Sequence, residues 1–315
     1  MPIKVSDNLP ARRSLESEGV IVMREAEAVR QDIRPLRIGL LNLMPNKIKT
    51  ETQIARLLGA TPLQIELTLV RMTDHVPQNT PAEHMEAFYR PWADIRDERF
   101  DGFIVTGAPV EKRPFLEVRY WPELAEVFDW TQTHVHRCFM ICWAAQAAVH
   151  HFHDVPKHLL PEKRFGVYKH RNLAPTSPYL RGFCDEFEVP VSRWTENRHE
   201  DIPAESGLRI LAENEESGLC LLEDPHRRTL LMFNHLEYDT ETLGEEFVRD
   251  GGGRLPLNYF PDDNPALPPE NKWRGHAHLL FGNWINDIYQ TTPFDVNEIG
   301  QVAAVANGTT AEVGA

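Results

Sequence analysis

A chain of 315 residues with 42% hydrophobic and 25% charged side chains can bury a substantial core and has an ordinary globular balance, which excludes a fibrous or disordered chain. The formal net charge of −14, from 33 basic and 47 acidic residues, argues against a nucleic-acid partner or an anionic membrane surface, since both want a basic face. Four cysteines make no disulfide framework here, no apolar run approaches a membrane span, and the start MPIKVSDNLPARR lacks the apolar core of a signal peptide, so the expectation is a cytoplasmic protein with free thiols.

Residues 1–34 mix charge with isolated apolar side chains and read as an arm packed on the main body or on a second subunit, with Glu25–Asp32 as a short helix. The apolar run Arg37–Met44, bounded by Pro35 and Pro45, predicts a first buried strand. Asn46–Gly59 then places Ile48, Ile54, Leu57 and Leu58 on roughly one helical face, with Gly59 as its stop. Leu63–Val70 alternates as a strand does. A helix is expected near His84–Tyr89, a third strand over Phe100–Pro109 ending in a Gly-containing turn, and another helix over Glu123–Val135. Strand and helix in that rhythm predict an α/β fold with a parallel sheet covered on both faces, whose site lies at the carboxyl ends of the strands.

The stretch His136–His153, HRCFMICWAAQAAVHHFH, continues this rhythm: Cys138–Ile141 is a short buried strand and an alanine-rich helix follows. Cys142 falls at the turn between them, where unpaired backbone N–H groups and the positive end of the helix dipole favour a thiolate. The N–H of Trp143, the residue after it, points where a tetrahedral intermediate would carry its oxygen, and a backbone N–H from the Thr106-Gly107-Ala108 turn completes such an oxyanion hole. Spacing alone leaves two readings open, a nucleophile and a packed core cysteine. Cys138, Cys142, Cys184 and Cys220 form no CxxC pair for metal or redox work.

The second half is less regular, with strands expected at Phe165–Lys169, Phe183–Ser192, Leu208–Ala212, Gly218–Glu223 and Thr229–His235, and helices at Thr240–Asp250 and Trp273–Tyr289. A nucleophilic thiol needs a base, and the base an orienting group. Five of the 14 histidines, His134, His136, His150, His151 and His153, flank the central strand and helix and read as exposed or structural. His235 differs, because it closes an apolar strand and so belongs at the same edge as Cys142. Glu237 would project to the same side if the backbone stays extended, fixing the imidazole tautomer and stabilising its charged form.

The blocks Asn42–Gln53 (NLMPNKIKTETQ), Val105–Pro109 (VTGAP), Cys142–Gln146 (CWAAQ), Asn234–Tyr238 (NHLEY) and Trp284–Asn286 (WIN) resemble the homoserine O-acyltransferase family of the methionine pathway. The resemblance covers about 35–298, leaving the arm 1–34 and a small-residue tail 299–315 that is expected to fray. It implies a flavodoxin-like parallel sheet similar to that of class I glutamine amidotransferases. Met140 and Ala144 stand where the amidotransferase motif Gly-x-Cys-x-Gly has glycines, which counts against amidase chemistry. The resemblance further implies a double displacement: Cys142 takes the acyl group from acyl-CoA, and His235, oriented by Glu237, deprotonates the homoserine hydroxyl. Lys163, Ser192 and Arg249 match the amino-acid-binding positions, and Arg249 offers a bidentate partner for the homoserine carboxylate; without the resemblance, Lys163 and Arg249 read as solvated surface charges. It implies a homodimer, with acyl-CoA as co-substrate and no other cofactor.

Glu111, just beyond the Thr106–Pro109 turn, is the expected acyl-group selector. In the resembled family glycine there goes with succinyl-CoA and glutamate with acetyl-CoA, and a succinyl carboxylate would meet Glu111 with like charge. The expectation is therefore acetylation of L-homoserine from acetyl-CoA, with succinyl transfer and a Cys-His-Glu amidase as alternatives.

Overall fold

Long apolar runs and strict alternation make the central layer of the molecule. The computed structural model describes residues 3–4, 9–17, 22–23, 34–74 and 79–300; the helix expected at 25–32 and nearly all of the tail lie outside these. The strands are β1 (Ile3–Lys4), β2 (Val22–Met23), β3 (Leu36–Leu41), β4 (Ile65–Arg71), β5 (Tyr89–Pro91), β6 (Phe100–Val105), β7 (Val135–Ile141), β8 (His158–Asn172), β9 (Glu186–Glu196), β10 (Arg209–Asn214), β11 (Gly218–Asp224) and β12 (Thr229–Met232). They form one sheet in the order β2-β1-β4-β3-β6-β7-β12-β11-β10-β8-β9, with β5 added on β4.

The half from β2 to β12 is parallel throughout. The half from β11 to β9 is antiparallel, with short hairpins joining β10 to β11 and β11 to β12 where the first half has helical crossovers. The less regular second half is thus an extension of the same sheet.

Side chains of the central strands alternate between two cores. Ile104, Phe139 and Ile141 face the helices Lys47–Leu58 and Arg274–Thr291, whereas Phe103, Val105 and Met140 face Trp121–His134 and Trp143–His153. β6 is buried along its whole length, as a strand covered on both faces must be. Fully buried Phe and Trp side chains such as Phe103, Phe139, Phe281 and Trp284 each contribute about 1.5–3 kcal/mol or more relative to exposure. The helix Arg274–Thr291 comes so near that a Cβ on Gly102 would stand 2.7 Å from the Trp284 ring, so only glycine fits there. Asn46 caps the helix Lys47–Leu58 by accepting from the Lys49 N–H, and the Gly59 N–H closes it on Ala55.

β1 pairs with β4, and Leu9 is buried in the core, so the described parts of the N-terminal segment pack on the main body. No helix among the described residues is long and apolar enough to cross a membrane.

Candidate active site

Cys142 sits between β7 and the helix Trp143–His153 with φ 53° and ψ −117°, a backbone conformation that L-residues rarely adopt. The sharp turn lifts the side chain out of the sheet and leaves it half-buried, while Cys138, four residues earlier in the strand, is sealed in the core. Its N–H donates to the Met232 carbonyl at 2.6 Å, which fixes the turn against the end of β12. Trp143 is the first residue of the helix, so its backbone N–H has no intrahelical acceptor. The Trp143 ring is fully buried against Phe115, with ring centroids 5.8 Å apart.

β6 and β7 are paired parallel neighbours, so the turn after β6 lies beside Cys142. The Leu43 N–H donates to Thr106 Oγ1 at 2.8 Å, joining this turn to the one after β3. Gly107 and Ala108 line the same cleft as Cys142, as does Met44 in the turn after β3.

β12 runs parallel to β7, with Met232 opposite Ile141, so the chain leaving β12 emerges beside the nucleophile. His235 was expected to close this strand, but β12 ends at Met232. After a last sheet bond from the Phe233 N–H to Cys220, the His235 N–H donates to Pro190 of β9 at 2.9 Å, and the chain bends away. The segment after His235 is a turn and not extended backbone. The turn still brings His235 Nδ1 to 2.7 Å from Glu237 Oε1, and the imidazole also hydrogen-bonds Cys142. His235 is nearly fully buried. Burial by itself would depress its pKa, but the charges of Cys142 and Glu237 and the hydrogen bonds to both hold it well above the ordinary histidine value.

The antiparallel half supplies the opposite wall. Lys163 of β8, expected on sequence alone at the surface, is buried; its ammonium donates to Glu246 at 3.1 Å and Asp250 at 2.8 Å. Ser192 of β9 donates to the same Glu246 carboxylate, as does the Tyr238 hydroxyl at 2.8 Å. Burial opposes ionisation of Glu246, yet Lys163, Ser192, His235 and Tyr238 together hold its pKa below the usual glutamate value. Burial and the charge of Glu246 push the Tyr238 phenol well above its ordinary value, so it remains a donor, and its ring stacks on His235 at 4.1 Å. Arg249 is exposed as expected, with its guanidinium against Asp250 at 2.9 Å and Glu246 at 3.8 Å.

Cys142, His235, Gly107, Ala108, Glu111, Lys163, Ser192 and Arg249 therefore border one cleft of about 430 Å³. Glu237 stands behind His235, and Trp143 contributes only its backbone. Sequence reasoning missed Tyr238, Glu246 and Asp250. Glu246 was findable: once Arg249 is placed in the site, the residue one turn earlier in the helix Thr242–Arg249 shares its face. The flanking histidines point elsewhere, His136 to Thr291, His151 to Asp129 and His153 to Asp224.

A thiol joined to an imidazole, an imidazole joined to a carboxylate and a free N–H at the start of the following helix are the parts of a nucleophilic acyl-transfer site. The model of the homoserine O-succinyltransferase family matches residues 2–294. A Rhizorhabdus wittichii protein named homoserine O-acetyltransferase is 71% identical, over 98% of this chain and 97% of its own. One of the same name from Brucella canis is 65% identical over 96% of this chain and all of its own. Among solved structures, a putative GMP synthase subunit from Thermoplasma acidophilum superposes with a TM-score of 0.54 at 14% identity, covering 82% of this chain and 96% of that one. A glutamine amidotransferase from Methylobacillus flagellatus gives 0.51 at 13% identity, covering 81% and 95%. At such identities these structures speak for the fold alone, which is that of class I glutamine amidotransferases.

Proposed function

This chain belongs to the homoserine O-succinyltransferase family, and from that premise we infer that it is an acetyl-transferring member. It transfers an acetyl group to the hydroxyl of homoserine, in methionine biosynthesis. The observation that carries the chemistry is the joined series Cys142, His235 and Glu237 in a cleft that Glu111 also lines.

The Cys142 sulfur attacks the thioester carbonyl of acetyl-CoA. The carbonyl oxygen becomes an oxyanion facing the N–H groups of Trp143 and of the Gly107-Ala108 turn. Collapse of this intermediate expels the CoA sulfur, which leaves with the proton of His235, and an acetyl thioester remains on Cys142. Acylation removes one of the two negative neighbours that hold the His235 proton, so the imidazole is freed to act as a base. It then takes the proton of the homoserine hydroxyl as the oxygen attacks the acetyl carbonyl, and the Cys142 sulfur leaves.

Homoserine is a zwitterion, and the far wall of the cleft offers both signs of charge. Arg249 meets its carboxylate, while the acidic pair Glu246 and Asp250 faces its ammonium group. Lys163 neutralises part of that acid charge and holds it in place, and Ser192 positions Glu246. Acetyl-CoA as donor is supported by the names of the relatives and by Glu111. A homodimer rests on the sequence resemblance and a cytoplasmic location on the free thiols, which fit a reducing compartment, and no cofactor is needed for this route.

Incubation with acetyl-CoA alone tests the reading. A burst of free CoA equal to the enzyme, with one acetyl group on the peptide bearing Cys142, is expected, followed by O-acetylhomoserine when homoserine is added. Ammonia released from glutamine, with no CoA burst, would point to an amidase instead.

A further inference from the structure

The cleft has two apolar hollows at its margins, and they differ in charge. One, between Gly244, Val248, Tyr259 and Phe260, is rimmed by Glu241, Glu245 and the Arg249 it shares with the cleft. The other runs over Pro114, Phe115 and Leu159 and shares Glu111, Lys112 and Arg113 with the active-site cleft, so the two spaces are continuous. Its walls include Leu116 and Leu159, which are 78% and 64% exposed and among the most exposed large apolar side chains of the described residues.

The loop that joins cleft and groove is cationic and held in shape. The Lys157 ammonium donates to the carbonyls of both Glu111 and Arg113 at 2.6 Å and lies over the Phe115 ring. Lys112 sits over the ring of Trp194, a cleft residue, at 3.3 Å. Neither Lys112 nor Arg113 forms an ion pair with another described residue, whereas Arg249 across the cleft is held by Glu246 and Asp250. Two uncompensated cations on a protein of net charge −14 mark a place where an anion is welcome against the general field.

We propose that this groove takes the nucleotide end of the acyl-CoA donor: the pantetheine arm passes over Glu111–Arg113 from Cys142, Lys112 and Arg113 bind the phosphates, and Leu116 and Leu159 flank the adenosine. The proposal rests on the acyl-CoA reading of the site. Charge complementarity favours this exit: here Lys112, Arg113 and Lys157 stand against Glu111 alone, whereas at the other rim Glu241 and Glu245 stand against Arg249 and the Lys49 that pairs with Glu245. Arginine and lysine beside a phosphate make charge-assisted hydrogen bonds, the strong kind.

The test compares a full donor with a truncated one. In the double variant Lys112→Ala/Arg113→Ala, kcat/KM for acetyl-CoA should fall roughly ten- to a hundredfold, mostly through KM. With S-acetylpantetheine, which lacks the nucleotide, the fall should be several-fold smaller, and the thermal midpoint of the double variant controls for folding. Equal loss on both donors, or no loss with acetyl-CoA, overturns the assignment. Calorimetric titration with adenosine 3′,5′-bisphosphate reads the groove without turnover. Binding to the unmodified protein that disappears in the double variant supports the proposal, whereas equal binding to both or to neither overturns it. Absence of turnover with either donor would count against the acyl-transfer reading instead, and the titration would still decide the groove.

Discussion

Gly107 and Cys142 face each other across the carboxyl ends of β6 and β7, so closely that a Cβ at residue 107 would stand 3.1 Å from the Cys142 Cβ and 3.5 Å from its sulfur. Gly107 does not have a positive φ, so its backbone accepts alanine; the added methyl would fill the ground beside the sulfur where an acyl carbonyl has to sit. Gly107→Ala should lower acetyl transfer by roughly a hundredfold, since misplacing a reacting group by about an ångström costs that much, while the thermal midpoint moves by only a few degrees. A wild-type rate in this variant would mean that the carbonyl does not pass between these residues.

Cys142 holds a left-handed backbone that costs of order 1–3 kcal/mol for a residue with a side chain. Cys142→Ser should nearly abolish transfer, because the hydroxyl is a far weaker nucleophile. Cys142→Gly should abolish it too, yet raise the free energy of unfolding by about 1 kcal/mol, since glycine adopts this backbone without penalty. Denaturant unfolding of the glycine variant checks this; lowered stability would show that the elbow stores no strain worth releasing.

His235→Ala should cost roughly three or more powers of ten in rate, and Glu237→Ala less, because the imidazole can still act without its orienting group. Turnover within a few-fold of wild type in both would dismiss the triad. Imidazole nitrogen NMR should find His235 titrating well above the ordinary histidine value of 6.5 in the native protein and lower in Glu237→Gln. A folded-state pKa above the unfolded one means that the bound proton stabilises the fold fully below the unfolded value, and that this share disappears as pH rises through the folded value. The stability lost in Glu237→Gln should therefore be largest at mildly acidic pH and shrink in alkali; the opposite slope would contradict the charged histidine.

Glu111 is half-buried and lines the cleft, and the proposed acetyl selectivity rests on it. Repulsion of a succinyl carboxylate by about 3 kcal/mol corresponds to roughly a hundredfold preference for acetyl. Glu111→Gly should shift the ratio of specificity constants toward succinyl-CoA by about that factor. An unchanged ratio, with both donors assayed at one homoserine concentration, would place the selection elsewhere.

Arg249→Ala and Glu246→Gln should raise the KM for homoserine at least about tenfold, the size of a lost charged contact, and leave the burst of CoA from acetyl-CoA intact. The two half-reactions separate these effects. Loss of the burst in Arg249→Ala would contradict a role confined to the amino acid.

The local sequence determined the frame. Apolar runs, alternation and caps placed β3, β4, β6, β7 and their helices to within a few residues, because these signals depend on neighbours in the chain, and the strand-to-helix turn at Cys142 was readable for the same reason. The candidate residues could also be named from the sequence, through the resemblance and the His-x-Glu spacing. Only the tertiary structure decided what surrounds them. Lys163 looked like a surface charge because its partners, Glu246 and Asp250, lie more than 80 residues further along the chain and reach it only in the folded protein. His235 was assigned to a strand end, yet its position comes from a turn held by Pro190 of β9, a contact that no local pattern encodes. Burial supplies the rest: the same carboxylates and ammonium groups would be screened and independent in water, and become one coupled charge network where Lys163, Glu246 and His235 are buried together.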